Sequence, residues 1–249
     1  MKIDFYYWGS MCPIANEIIN LLNEYEDVFD IQFYDFTDDP AIAKKEKIFF
    51  PFLTVVNEKR RYYSPITQKF LESLLIGKMP QEIPYRPILG TVEKSVNIQQ
   101  IVKDNYKLAC QCTGRKQCYK YEFKPLMYSS IPDKVIGFMN VDGNKLLGGV
   151  EWYPSLYVPY DIPKGDDIAF ITCVYISDDY FDYKTAPLKA LEQYLAKLYN
   201  KVIVICNEVG VFPNGDLAFF IRNGYQDEKV IFEDEYCRLH LLSKELSSF

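Results

Sequence analysis

The first residue in this chain with the means to do chemistry is a lone thiol. In Tyr7-Trp8-Gly9-Ser10-Met11-Cys12-Pro13-Ile14-Ala15, Cys12 stands between a β-rich run (Lys2 to Trp8) and the opening of an amphipathic helix. Unpaired backbone N–H groups and the positive end of the helix macrodipole favour a thiolate at such a junction. That is the logic of a Cys-x-x-Cys redox site, yet the position three residues on is Ala15 and nothing basic flanks Cys12. Without a local resolving thiol, Cys12 is either the remnant of a retired site or a monothiol that forms a mixed disulfide with an outside thiol such as glutathione.

Two further groups offer chemistry. Cys110, Cys112 and Cys118 fall within nine residues. A structural zinc site wants four ligands, usually in two pairs. The fourth would come from Cys173, Cys206, Cys237 or His240, all far along the chain, so the expectation is small buried thiols and no metal. His240 is the chain's one histidine and sits in an alternating apolar run, as a packing or surface residue. It leaves Ser-His-Asp catalysis one candidate and excludes two-histidine metal chemistry.

Composition narrows the class. The 249 residues are 49% hydrophobic and 25% charged, in the globular range, with 21 Tyr and 17 Phe. A net charge of −6 and a pI near 5.0 oppose nucleic-acid binding. No apolar run reaches the roughly 20 residues of a membrane helix, no secretory leader is legible, and an odd count of seven cysteines suits reduced thiols. A cytoplasmic protein is expected.

The elements that must position these groups can be read from periodicity. Ile14, Ile18, Ile19, Leu21 and Leu22 recur at helical spacing, and Val28 to Phe36 alternates as a strand. Asp38-Asp39-Pro40 starts a short helix. Phe52 to Val56 is a strand headed by Pro51, a turn at Asn57-Glu58-Lys59 leads into Arg60 to Tyr63, and a helix carries Phe70, Leu71, Leu74 and Leu75. Three prolines between Met79 and Gly90 mark a stiff connector. The expected division is a domain over 1–80, a Pro-rich linker over 81–90 and a second domain over 91–249. In the latter, strands are expected over Val135 to Val141, Lys145 to Tyr153, Ala169 to Ile176, Lys201 to Cys206 and Tyr236 to Leu242. Helices are expected over Pro187 to Tyr199 and Gly215 to Asn223.

In residues 1–80 the order strand, helix, strand, helix, hairpin, helix resembles the thioredoxin family. That resemblance implies that Pro51 is a cis-proline beside Cys12. Residues 91–249 are similar in layout to GNAT acetyltransferases: a hairpin, a central strand, a long helix, a strand, a short helix and a final strand. Asp216 to Tyr225 resembles that family's late helix ending in a Gly-aromatic pair. Leu147 to Pro154 and Phe170 to Ile176 look like the matching strands of YoaP-like proteins, which couple a GNAT domain to a small thioredoxin-like domain, although here the thioredoxin-like part comes first. The fold class implied is α/β (α+β), thioredoxin-like followed by GNAT-like.

The resemblance implies acetyl-CoA as cofactor and a small amine or peptide as acceptor. It places the cofactor at Val174, Tyr175, Ile176, Tyr183, Lys184, Thr185 and Ala186, and makes Glu151 the candidate general base, with a surface glutamate as the alternative. The chain departs from the pattern twice. The loop Asp178 to Pro187 holds three aspartates and no glycine where backbone N–H groups would cradle a pyrophosphate. Four residues before Gly224, where a tyrosine would serve as general acid, stands Phe220. The readings left open are an acetyltransferase, a non-catalytic binding module on the same scaffold, and a thiol redox protein acting through Cys12.

Overall fold

In the computed structural model, residues 1–9, 11–83, 90–113, 131, 134–175, 180–208 and 216–247 are described. Ile176, Asp178, Asp179 and Cys118 lie outside them. The chain divides into two compact units: Met1–Tyr85 with Pro159–Asp161, and Arg86–Val158 with Ile162–Phe249.

In the first unit, β1 (Lys2–Tyr7), β2 (Asp30–Asp35), β3 (Phe52–Val56) and β4 (Arg60–Tyr62) form a sheet in the order β2-β1-β3-β4. Strand β1 pairs parallel with β2 and antiparallel with β3. The helices are α1 (Pro13–Asn23), α2 (Pro40–Lys45) and α3 (Gln68–Leu75). Ile14, Ala15, Ile18 and Leu22 form the buried stripe of α1, as their spacing requires. Asp39 caps α2 by accepting from Ala41 N at 3.2 Å, with Pro40 in the first turn. The stretch after α3 is fastened to the sheet: the Tyr62 hydroxyl donates to Pro80 O at 2.9 Å, and the buried Glu82 carboxylate accepts from Tyr63 N and Ser64 N at 3.1 and 2.9 Å.

Tyr160, distant in the chain, belongs to this unit's core. It is 2% exposed, and its ring lies 5.3 Å from that of Trp8 and 6.4 Å from those of Phe36 and Phe49. Truncating a buried aromatic costs about 3 kcal/mol or more. The chain has two tryptophans, Trp8 in this unit and Trp152 in the other. In a Trp152→Phe background, Tyr160→Ala should therefore lower the guanidinium midpoint reported by Trp8 fluorescence; an unchanged midpoint would show that Tyr160 contributes no core packing.

The second unit begins with β5 (Val92–Glu93), β6 (Ile98–Ile101) and α4 (Tyr106–Ala109), followed by a 3-10 turn over Cys110–Thr113. Then come β7 (Gly137–Asp142), β8 (Lys145–Pro154), β9 (Ile168–Tyr175), β10 (Phe181–Asp182), α5 (Thr185–Leu195), β11 (Lys201–Asn207), α6 (Leu217–Arg222), β12 (Gln226–Glu233) and β13 (Arg238–Glu245). Seven strands run β12-β13-β11-β9-β8-β7-β6, all neighbours antiparallel except β9 and β11. A parallel β9–β11 step needs a crossover, which α5 supplies. Leu188, Leu191 and Leu195 of α5 are buried, and Tyr194 of the same helix packs its ring 5.9 Å from Phe138 and 6.3 Å from Trp152. Helix α6 ends at Gly224, whose φ of +84° is the left-handed conformation glycine adopts at a helix C-terminus. Among the described residues, no helix is long and apolar enough to cross a membrane.

Candidate functional site

The central parallel pair parts. Lys201–Val204 of β11 pair with Ile168–Ile171 of β9, and the ladder stops there. Beyond it β9 runs on to Tyr175 paired with β8, while β11 runs on to Asn207 paired with β13. A register shift between β8 and β9 at Glu151/Trp152 leaves Thr172 as an extra residue on β9, and such a bulge bends the strand that carries it. The result is a V between β9 and β11. Its flanking residues Val174, Ile205, Cys206 and Asn207 are buried, and burial pushes the Cys206 thiol well up, which makes it a poor nucleophile.

At the level of the open end stands Glu151 on β8, 4% exposed and paired between β7 and β9. Cys173 lies opposite it in the register, and Tyr175 lies opposite Gly149. Because side chains alternate along a strand, Gly149 and Glu151 share one face of β8. The Tyr175 hydroxyl donates to Glu151 Oε1 at 3.0 Å. Burial first, then the Glu151 carboxylate, pushes the phenol well above its ordinary value, with the Cys112 and Cys173 thiols adding to the shift. Gly149 makes this geometry possible: a Cβ there would lie 2.5 Å from the Tyr175 ring.

Tyr225, also fully buried, is pushed up by burial and by Glu192. For both phenols the raised folded value means stability that is full below pH 10.0 and is lost as pH rises through the folded values. Absorbance at 295 nm should accordingly show Tyr175 and Tyr225 un-ionised until the protein unfolds, and Tyr175→Phe should remove one of these late phenols. A single titrating population of tyrosines in the folded protein would contradict the assignment.

The segment leading into α5 is turned inward. Asp182, 3% exposed, accepts from Lys184 N (2.9 Å), Thr185 N (3.1 Å), Thr185 Oγ1 (2.7 Å) and Arg222 Nη2 (2.9 Å). Lys184 is buried with its ammonium 4.8 Å from the centre of the Phe219 ring, and burial lowers its pKa. Tyr183 is buried too, and its carbonyl accepts from Asn140 Nδ2 at 3.4 Å. Val174 borders the V, and Ala186 occupies the first turn of α5. Among the described residues expected to hold acetyl-CoA, Tyr175, Tyr183, Lys184 and Thr185 thus hydrogen-bond to the chain itself. Among the described residues of the loop expected to cradle a pyrophosphate, the Lys184 and Thr185 amides are taken by Asp182.

Elsewhere, Phe220 is fully buried against Phe219 and Tyr225, so no acid stands at that position. His240 Nδ1 lies 2.7 Å from Asp227 Oδ2 and Nε2 lies 3.3 Å from Glu208 Oε2, which occupies both ring nitrogens with carboxylates. Cys110 and Cys112 are not in disulfides. In the first unit Cys12 is the N-cap residue of α1, 8% exposed and not in a disulfide, with Pro13 in the first turn. Pro51 O accepts from Trp8 N at 2.8 Å, and Trp8 O accepts from Met11 N at 2.9 Å, so the backbone ties Pro51 to the Cys12 loop. Cys12 belongs to the first unit and Glu151 to the second.

Reading residues alone missed the Tyr175–Glu151 bond and the role of Asp182. Only the second left a local signal, an aspartate three residues before a helix-opening threonine.

No family model and no curated protein matches the sequence. Solved structures to which the chain is similar include the following. The ribosomal-protein-S18-alanine N-acetyltransferase from Escherichia coli is 11% identical at TM-score 0.42, over 61% of this chain and 95% of that one. The aminoglycoside 6'-N-acetyltransferase from Enterococcus faecium is 10% identical at TM-score 0.44, over 62% and 99%. Ard1 from Thermoplasma volcanium is 9% identical at TM-score 0.41, over 60% and 97%.

Proposed function

We propose that residues 91–249 form a GNAT-type scaffold that recognises an amine, on a small molecule or a peptide, through Glu151. The observation that carries this is the buried Glu151–Tyr175 pair at the level of the open end of the β9/β11 V. The strand order, the single parallel step and the crossover by α5 support the scaffold reading. A carboxylate is rarely buried in a strand without a task or a partner. Here it can accept the N–H groups of an ammonium and take up its proton, the step that makes an amine nucleophilic, while the Tyr175 hydroxyl holds the carboxylate in one orientation. Acetyl-CoA, if bound, would supply the acyl group; the described residues just before α5 do not fit its diphosphate, and acyl transfer from it forms no part of the proposal. Calorimetry with spermidine, n-butylamine and a lysine-containing tripeptide tests the reading. Binding of at least one, lost in Glu151→Gln, is expected; heat from none, or equal heat from both proteins, would refute it.

A second reading concerns the first unit alone. Cys12 at the N-terminus of α1, with Pro51 tied to its loop, supports a thioredoxin-like monothiol site. Incubation with oxidised glutathione should add one glutathione by mass to the protein, and Cys12→Ser should remove that adduct. An adduct that persists in the variant would exclude Cys12.

A further inference from the structure

We infer that the N-terminus of α5 is an anion site filled by the chain's own Asp182 carboxylate, so that the second unit takes its ligands without a diphosphate and leaves nucleotide-bearing thioesters such as acetyl-CoA unbound there. This stands whether or not an amine binds at Glu151.

A helix N-terminus offers backbone N–H groups and positive potential to an anion. In α5 these are committed. Oδ1 of Asp182 accepts from Lys184 N and Thr185 N, and Oδ2 accepts from Thr185 Oγ1 and from the Arg222 guanidinium. Two backbone amides, a hydroxyl and an arginine are the donors a phosphate would use, and one carboxylate already holds all four. Pro187 has no N–H to give, which leaves Ala186 as the remaining first-turn donor among the described residues. A diphosphate entering here would either meet Asp182 as a like charge or have to displace it.

Displacement is opposed by the backbone. The Asp182 carbonyl accepts from Lys94 N at 2.9 Å, and the Tyr180 carbonyl accepts from Thr91 N and Val92 N at 3.1 and 3.2 Å, the pairing of β5 with β10. Asn140, fully buried on β7, donates to Lys94 O at 2.8 Å and to Tyr183 O at 3.4 Å. The plug is therefore pinned on one side to β5 and on the other to Asn140 of β7, and is part of the fold rather than a side chain resting in a vacant site.

The test uses the full chain with inorganic pyrophosphate, CoA and pantetheine as probes in calorimetry. The wild type should bind neither pyrophosphate nor CoA at millimolar concentration. Asp182→Asn keeps the shape and one acceptor but leaves Arg222 and the helix N-terminus uncompensated. It should gain at least about tenfold in pyrophosphate affinity, and Arg222→Gln added to it should cancel the gain. Wild-type binding of CoA that pyrophosphate competes away, or equal pyrophosphate affinity in wild type and Asp182→Asn, would overturn the inference. Hydrogen exchange on the wild type decides the matter should the variant fail to fold: the Lys184 and Thr185 amides should exchange slowly with and without pyrophosphate. Fast exchange that slows on adding it would be equally fatal.

Discussion

Glu151→Gln should weaken amine binding by roughly ten- to a hundredfold, the range a lost charged hydrogen bond commands, while leaving the melting temperature near that of the wild type. The amide matches the carboxylate in shape and still offers an oxygen to the Tyr175 hydroxyl, 3.0 Å away, so the packing around β8 and β9 survives. What it lacks is the charge that pairs with an ammonium and the basicity that takes its proton. Tyr175→Phe makes the contrast. It keeps the charge and removes the orienting bond, and the expected loss is smaller, about fivefold for roughly 1 kcal/mol. Equal losses in the two variants would mean that charge is not what the ligand reads, and a neutral ligand would have to be sought.

Gly149→Ala should destabilise the second unit by about 1–3 kcal/mol, the usual cost of overpacking a filled interior. The alanine Cβ would come within 2.5 Å of the Tyr175 ring and 2.8 Å of its oxygen. That ring is buried and hydrogen-bonded, so it has little room to yield. The cost should nearly vanish in a Tyr175→Ala background, giving a coupling energy of about 1–3 kcal/mol in the double-mutant cycle. In a Trp8→Phe background, Trp152 fluorescence reports the unfolding of this unit. Additive effects would mean that glycine is there for the backbone and not for the tyrosine. Gly149→Ala should also reduce amine binding about as much as Tyr175→Phe does, since both release Glu151.

Several features are legible in the sequence because they are local. The helical stripe Ile14, Ile18 and Leu22, the cap at Asp39 and the leucines of α5 each depend on neighbours a turn away. Cys12 could be placed at a strand-to-helix junction for the same reason. Boundaries moved by a few residues: α5 runs over Thr185–Leu195 where a helix over Pro187 to Tyr199 was expected, and β13 over Arg238–Glu245 where Tyr236 to Leu242 was expected. Strand β12 gave no signal, since Gln-Asp-Glu-Lys opens an exposed edge strand whose outer face and free edge favour charge over apolar alternation. The connector expected over 81–90 begins with residues fastened through Glu82 to Tyr63 and Ser64 just after β4, contacts spanning 19 and 18 residues that periodicity does not register.

By itself the sequence determined the order of the elements, the helix starts and the residue types available for chemistry, because short-range sterics, capping and apolar spacing set these. Which of those residues meet was decided by the tertiary structure alone. Glu151 reaches Tyr175 because a bulge at Thr172 sets the β8/β9 register, Asp182 reaches Arg222 across 40 residues, and Tyr160 joins a core more than a hundred residues away. Each is a pairing of distant segments, and pairing is fixed by the packing of whole strands and helices against one another, where no window of neighbouring residues carries the information.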